Sequence, residues 1–373
     1  MKILSILFMA TMTSSMEITS CADMQMAFDV AKEQYVNATM HPFADIHCDN
    51  FTTFSLGSGY DIDVFSTDNL DNFYGNANFV NVRLEIVNGS KITFEPNILF
   101  ENYDEEDPVY HDVNGGALFI GKDSTVRFLN KFDTKNIGVR SETAESSDFP
   151  DHQNDGGCIF NQGYFRVDGS AVMTGCENLG GGEGSPGKGG AIFNDVTGSV
   201  RFERIEISDV SITDDEGNLG GAIYNLGKVN VNGDSAFSSL RAEGGGAIYN
   251  GNDAVFNFKR GSSVLFYDCS ASSESNAGAV LNNGFFKFSG PAVFVDGQGS
   301  GYKGSQITIG SEGSMKLSDN SYFFRNGGGA PIYVEDGGEL DYDEDMVSFV
   351  SNDFGNQEEE CVSVYFEHDN VCV

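Results

Sequence analysis

The chain lacks the features that several large functional classes require. Beyond its first residues, no stretch approaches the ~20 consecutive apolar residues of a membrane-spanning helix, so no membrane insertion is expected. Basic residues are few, 21 against 56 acidic, and a formal charge of −35 argues against nucleic acid or an anionic membrane as partner. It favours solubility, divalent cations or basic partners instead. No pair of the seven cysteines has CxxC or CxxH spacing, which argues against a structural zinc site. GxSxG, HExxH and P-loop patterns are missing. No window sustains a 3.6-residue apolar period, so a helical repeat is excluded.

What is present starts with MKILSILFMATMTSSM: one basic residue, a short apolar run, then small polar residues. This is the layout of a secretory signal peptide, with cleavage expected before Asp23 and residues 1–22 removed. Removal to Ala22 takes Cys21 away and leaves Cys48, Cys158, Cys176, Cys269, Cys361 and Cys372. An even number in an exported chain favours disulfides. Cys158 with Cys176 is a local candidate pair, and Cys361 with Cys372 a candidate clamp on the tail. Asn37, Asn50 and Asn88 open N-x-S/T sequons and are candidate glycosylation sites.

A glycine-led hexapeptide recurs. It reads GGALFI at 115–120, GGCIFN at 156–161, GGAIFN at 189–194, and GGAIYN at both 220–225 and 245–250. AGAVLN (277–282), GSQITI (304–309) and GGAPIY (328–333) continue the series. The shortest spacings cluster near 25 residues, and the longer ones read as that unit with an inserted loop. Between copies lie alternating runs such as KVNVNG (228–233) and FFKFSG (285–290), about three short strands per unit. One strand of each unit pairing with its counterpart in the next gives a parallel β-helix, each coil adding about 4.8 Å. A second motif, F-x-x-N, appears at 323–326 and 349–352, with cysteine in place of asparagine at 266–269 and, more loosely, at 173–176. Its asparagine is expected to bond the asparagine above it, and its phenylalanine to stack in an interior column.

These two motifs, recurring in order over residues 80–352, resemble the GGA[ILV] and FxxN repeats of the polymorphic outer-membrane proteins. More broadly the chain is similar to right-handed parallel β-helix proteins of pectate-lyase-like architecture. The resemblance implies an all-β, right-handed β-helical solenoid and a surface-exposed, adhesin-like role. The chain departs from that family in having no room after residue 352 for a C-terminal membrane barrel. Residues 23–79 then read as an N-terminal cap with irregular first coils, and 353–373 as an acidic C-terminal cap. DMQMAFDVAKEQYV (23–36) is the best helical segment, with Met26, Phe28, Val30, Ala31 and Tyr35 available for burial, and is expected to plug the solenoid's open end.

Two features bear on function. Insertions at 141–155, 178–188, 212–218 and 270–276 fall just before the glycine pair, so they gather along one edge, where a solenoid's surface can vary and bind. In the hexapeptide, alternate residues face opposite sides. Ile223 and Asn225 share one face, Ala222 and Tyr224 the other. The aromatic column Phe119, Phe160, Phe193, Tyr224, Tyr249, followed by Leu281, is expected to face inward. If it faces outward, it is a candidate binding stripe for sugar rings or another chain. The acidic run Asp214-Asp215-Glu216 is a weak candidate for Ca²⁺, and no other cofactor is expected. With Arg201 or Arg204 nearby, it is also the best start for a lyase. None of the five histidines (His41, His47, His111, His152, His368) lies in a repeat strand, as a hydrolase pairing aspartates with histidine would need. The expected function is a secreted, non-catalytic binding or structural module at a cell surface or matrix, with polysaccharide or protein as partner. The alternative is a polysaccharide lyase or glycoside hydrolase of pectate-lyase-like fold.

Overall fold

The computed structural model describes residues 14–372 apart from 42, 58, 60, 67–75, 103–113, 140–154, 179–186, 213–217, 273–276, 300–303, 353–362 and 369–370. Nearly all of it is β-strand, coiled into a parallel β-solenoid of about nine turns spaced about 30 residues apart. The spacing exceeds 25 because the connections before the glycine pair vary in length.

Each coil contributes to three sheets. The first is built from the hexapeptides: Leu118–Ile120, Ile159–Asn161, Ile192–Asn194, Ile223–Asn225, Ile248–Asn250, Val280–Asn282, Ile307–Ile309 and Ile332–Val334, with Val364–Phe366 closing the stack. Identical motif positions lie over one another, Ile223 on Ile248 and Asn225 on Asn250. The second sheet follows one corner later, in strands such as Lys228–Val231 and Val255–Phe258. The third contains Ser235–Ala242 and Val264–Ala271, which run through a kink and on toward the next hexapeptide. Parallel pairing reaches as far upstream as Ser14–Ile18, which lies beside Val36–Met40. Downstream, Val371–Cys372 pairs antiparallel with Tyr365–Phe366.

The glycine pair is required by geometry. Gly220 has φ +68°, and a β-carbon there would sit 2.3 Å from the carbonyl oxygen of Ile223. At Gly221 a β-carbon would lie 1.9 Å from the carbonyl oxygen of Gly246 in the next coil. Glycine alone avoids both collisions.

The F-x-x-N corner is the kink in the third sheet. Its third residue is left-handed in coil after coil: φ is 53° at Ser239, 50° at Asp268, 56° at Asp296, 50° at Arg325 and 55° at Ser351. The expected interior column is present. Phe237, Phe266, Phe294, Phe323 and Phe349 stack with ring centroids 5.1, 4.8, 4.6 and 5.0 Å apart. At this corner Asn326 donates to the side-chain oxygen of Asn352 (3.1 Å). The longer asparagine ladder belongs to the hexapeptide. Asn161, Asn194, Asn225, Asn250 and Asn282 are fully buried and each donates to the next at 2.7–2.8 Å.

The N-terminal helix, α1 (Cys21–Ala31), is capped by Ser20, whose hydroxyl accepts from the Asp23 amide. It buries Met24, Ala27, Phe28 and Ala31, which fall on one stripe at i, i+3, i+4 and i+7. Met26, expected to be buried, is exposed, and Tyr35 lies beyond the helix, bonded to Asp63. Helix α1 packs against the first coils and covers their open end, with the Phe28 ring 5.6 Å from Phe54.

Two disulfides are formed, Cys158–Cys176 as expected and Cys21–Cys48. The second joins Cys48 to Cys21, a residue within the stretch 1–22 that the sequence reads as a leader. Cys361 lies outside the described residues, so the Cys361–Cys372 clamp does too. Cys269 is the free thiol among the described residues, fully buried. Replacing Cys158 and Cys176 together by alanine removes a cross-link over a separation of 18 residues. The expected cost is roughly 3 kcal/mol. Denaturation of the variant and of wild type with and without reductant checks this: the difference between them should be present without reductant and vanish with it.

Candidate binding surfaces

The hexapeptide strand decides which column enters the solenoid. Leu118, Ile159, Ile192, Ile223, Ile248 and Val280 are fully buried in the interior cluster, so the expectation that the aromatics face inward is overturned. The lumen is already crowded by phenylalanines from the other two sheets, such as Phe256 and Phe286 of the second and Phe266 and Phe294 of the third. A short strand closing that space fits a branched aliphatic chain, and the asparagine two residues on then turns inward with it. Ala222 is also buried in the interior cluster, because it belongs to the glycine corner and the strand begins at Ile223.

The aromatic column lies outside the lumen as a separate stack. Phe119, Phe160, Phe193, Tyr224 and Tyr249 follow one another at centroid distances of 5.2, 5.1, 5.3 and 4.6 Å. It is nevertheless covered. Phe160, Phe193 and Tyr224 are buried, with Leu219 and Leu226 packed against them, while Phe119 and Tyr249 are half-buried at the ends. Lys188 sits 5.9 Å above the Tyr224 ring and Arg83 5.5 Å from the Phe119 ring. Burial pushes the Tyr224 hydroxyl pKa upward, with the neighbouring Tyr249 and Asp155 adding to it. The candidate stripe is thus a second, satellite core, with only its two ends open to a ligand.

The loop edge expected beside this stripe falls mostly outside the described residues, as do Asp214, Asp215 and Glu216. The roots of the loops are described and stack in register, Lys188 beside Leu219 and Leu219 beside Gly244. Among the described residues no group of three or more His, Cys, Asp or Glu side chains could hold a metal ion. The Cys269 thiol is pushed up by burial and hydrogen-bonds to the carbonyls of Phe237 and Tyr267. It has the surroundings of a core residue. Of the sequon residues, Asn50 and Asn88 are exposed, whereas Asn37 is half-buried in the strand Val36–Met40.

Two outward surfaces were not foreseen. One is apolar: Leu265, Tyr267, Val293, Tyr322, Phe324 and Val350 project from successive strands of the third sheet, and Leu265, Tyr267 and Val350 are 39%, 45% and 43% exposed. The other lies at the corner between the first and second sheets. There a groove of about 230 Å³ climbs three coils, lined by Thr125, Gln162, Tyr164, Thr197 and Ser199, with Lys122 and Asp123 at one end. Thr125, Tyr164 and Ser199 are neighbours in register. Two residues further along the same strands stand Arg127 and Arg166, which share Asp168 at 2.5–2.8 Å. Partial burial pushes the Asp168 pKa up, but hydrogen bonds and charge from the two arginines outweigh this and hold it below the usual carboxylate value. Sequence analysis reached Arg201 and Arg204 only through their nearness to an acidic loop. The sequence signal for this line is a basic residue at the third position of the strand after five of the eight hexapeptides, as in TVRF, YFRV and SVRF.

Among the described residues, no helix is long and apolar enough to cross a membrane. Comparisons of the chain with family models, with curated proteins and with solved structures find no match in any of the three.

Proposed function

We propose that this protein is a secreted, non-catalytic β-helix module that binds at a cell surface or extracellular matrix, with a polysaccharide as the leading partner class. The observation that carries this reading is the in-register repetition of outward side chains. Every coil presents the same position on the same face at a fixed rise of about 4.8 Å. A repeating polymer meets such a face with many equivalent weak contacts whose combined strength exceeds that of any one. Supporting it are the two disulfides, which are compatible with an oxidising compartment outside the cell. The leader-like N-terminus and the sequons at Asn37, Asn50 and Asn88 agree with export as a glycoprotein. So does the resemblance of the GGA[ILV] and FxxN motifs to polymorphic outer-membrane protein repeats and to the wider pectate-lyase-like class.

The test is a panel of neutral and acidic polysaccharides scored for retention and for product release, with and without Ca²⁺. Retention without new reducing ends or unsaturated products is the expected result. Turnover of any polymer would replace this reading by that of a lyase or hydrolase, and retention of none would leave a structural or protein-binding role.

A further inference from the structure

The outward face of the second sheet has a charge pattern opposite to that of the chain. Over the eight strands from Lys91–Phe94 to Ser314–Leu317, one column reads Thr93, Arg127, Arg166, Arg201, Asn230, Asn257, Lys287 and Lys316 in direct register. Lys91 and Lys228 stand in the adjacent outward column. No outward position of the four-residue segments that form this sheet is acidic, although acidic residues outnumber basic ones 56 to 21 in the whole chain; Glu95, Asp168 and Glu203 follow immediately after three of those segments. Acidic residues return at both ends: Asp63 beside Thr93, and Asp341 beside Lys316.

These cations are not spent on neutralising the protein. One carboxylate, Asp168, serves both Arg127 and Arg166, and Asp341 pairs with Lys316. Lys91 has only a long contact to Asp61, at 3.9 Å. Arg201, Lys228 and Lys287 make no ion pair among the described residues. The groove of hydroxyl and amide groups from Thr125, Tyr164, Ser199, Gln162 and Thr197 runs alongside the arginines. Higher on the same face the Phe285 ring is 41% exposed.

We propose that this face binds a linear anionic polysaccharide. Its carboxylates or sulfates meet the arginine and lysine column, its hydroxyl groups meet the groove, and a sugar face rests on Phe285. This deepens the binding-module reading and rests on it. The shape selects a polysaccharide over an acidic peptide. A peptide docking on a sheet satisfies its backbone at a free strand edge, and these strands are paired on both sides. A flat face roughly 34 Å long, at about 4.8 Å per strand, instead offers side-chain donors to a polymer rich in hydroxyls and repeating charge.

The acidic remainder of the protein gives this interaction an unusual salt dependence. At ~0.01 M salt the screening length is about 30 Å, so the whole charge of −35 repels a polyanion. At ~0.1 M it is about 10 Å, and the local stripe dominates. Affinity is therefore expected to peak at intermediate ionic strength rather than fall steadily from low salt.

The experiment is calorimetric titration of the full chain with polygalacturonate, dextran sulfate, neutral dextran and poly-glutamate across that salt range. The R201E/K287E variant removes two cations that make no ion pair. R241E/K32E changes the net charge equally, away from this face. Thermal midpoints confirm that both variants are folded. Binding of at least one anionic polysaccharide is expected, weakened about tenfold or more in R201E/K287E and little changed in R241E/K32E. Equal weakening in both variants, or poly-glutamate binding as tightly as the polysaccharides, would overturn the site or the ligand class. If neutral dextran or another neutral polymer binds while the anionic ones do not, this inference fails and the binding-module reading stands.

Discussion

Replacing Asn225 by aspartate is expected to cost about 3–5 kcal/mol of stability near neutral pH. Asn225 is fully buried in the middle of the ladder. Its side-chain nitrogen donates to the oxygen of Asn250 at 2.7 Å, and its oxygen accepts from Asn194 at 2.7 Å and from the Gly227 amide at 3.1 Å. Aspartate accepts but cannot donate, so it sets one oxygen against another inside the solenoid. Turning the Asn250 amide over does not repair this. The mismatch moves on to Asn282, which donates upward to the carbonyl of Ser314. The cheapest relief is protonation, since a neutral acid donates again. The folded-state pKa of the new carboxyl is then raised above its unfolded value of about 3.9. The variant should lie closest to wild type below that pH and lose stability as pH rises toward the raised value, by about 1.4 kcal/mol per unit. Chemical denaturation from pH 3.5 to 8 measures it. A small, pH-independent difference would mean that the ladder does not hold the coils together. Asn225→Leu leaves the Asn194 and Gly227 donors and the Asn250 oxygen unpaired, so it should also be strongly destabilising, but it carries no charge and should show no such slope.

Gly221→Val is the second large effect. The added β-carbon meets the Gly246 carbonyl oxygen at 1.9 Å and that of Arg241 at 2.8 Å, both backbone atoms with no side-chain freedom. Relief requires the coils to separate. That breaks the bonds from the Gly221 amide to Gly245 (3.1 Å) and from Ala222 to Ala247 (2.9 Å). A loss of about 3 kcal/mol or more is expected, with local opening at residues 219–224. Gly261→Ala isolates the other possible cause. Gly261 has φ +86°, but nothing lies within 4 Å of an added β-carbon. Only backbone strain remains there, about 1–2 kcal/mol. If the two variants lose the same amount in denaturation, close approach between coils is not what the repeated glycines serve.

Both predictions concern the same six letters, and they show how far those letters could be followed. GGAIYN and its variants, recurring down the chain with no helical period, dictated stacked parallel coils, because glycine at those positions serves backbone approach and asparagine can bond its own copy above. Phe266, Phe323 and Phe349 open the F-x-x-N or F-x-x-C motif, whereas Phe237 and Phe294 are followed three residues on by Leu240 and Gly297, so the phenylalanine column was legible in part. The left-handed residue of the F-x-x-N corner was not, since serine, aspartate and arginine all occupy it and only the kink requires it. Helix α1 was legible as an element but not in its buried face, because Met24 and Met26 are both apolar and only docking against the first coils chooses between them.

The candidate site divides along a similar line. The sequence by itself determined that the chain is a strand-built solenoid, that the hexapeptides overlie one another, and which residues form each column, because periodicity depends only on the order of residues. Only the tertiary structure decided which column enters the lumen. That choice depends on the space left by phenylalanines from the other two sheets, and such packing is not written in any single strand. It also took the coiled chain to show that Arg127, Arg166, Arg201, Lys287 and Lys316, spread over some two hundred residues of an acidic protein, stand in one line. Sequence order separates them by the variable loops, and pairing between coils removes that separation.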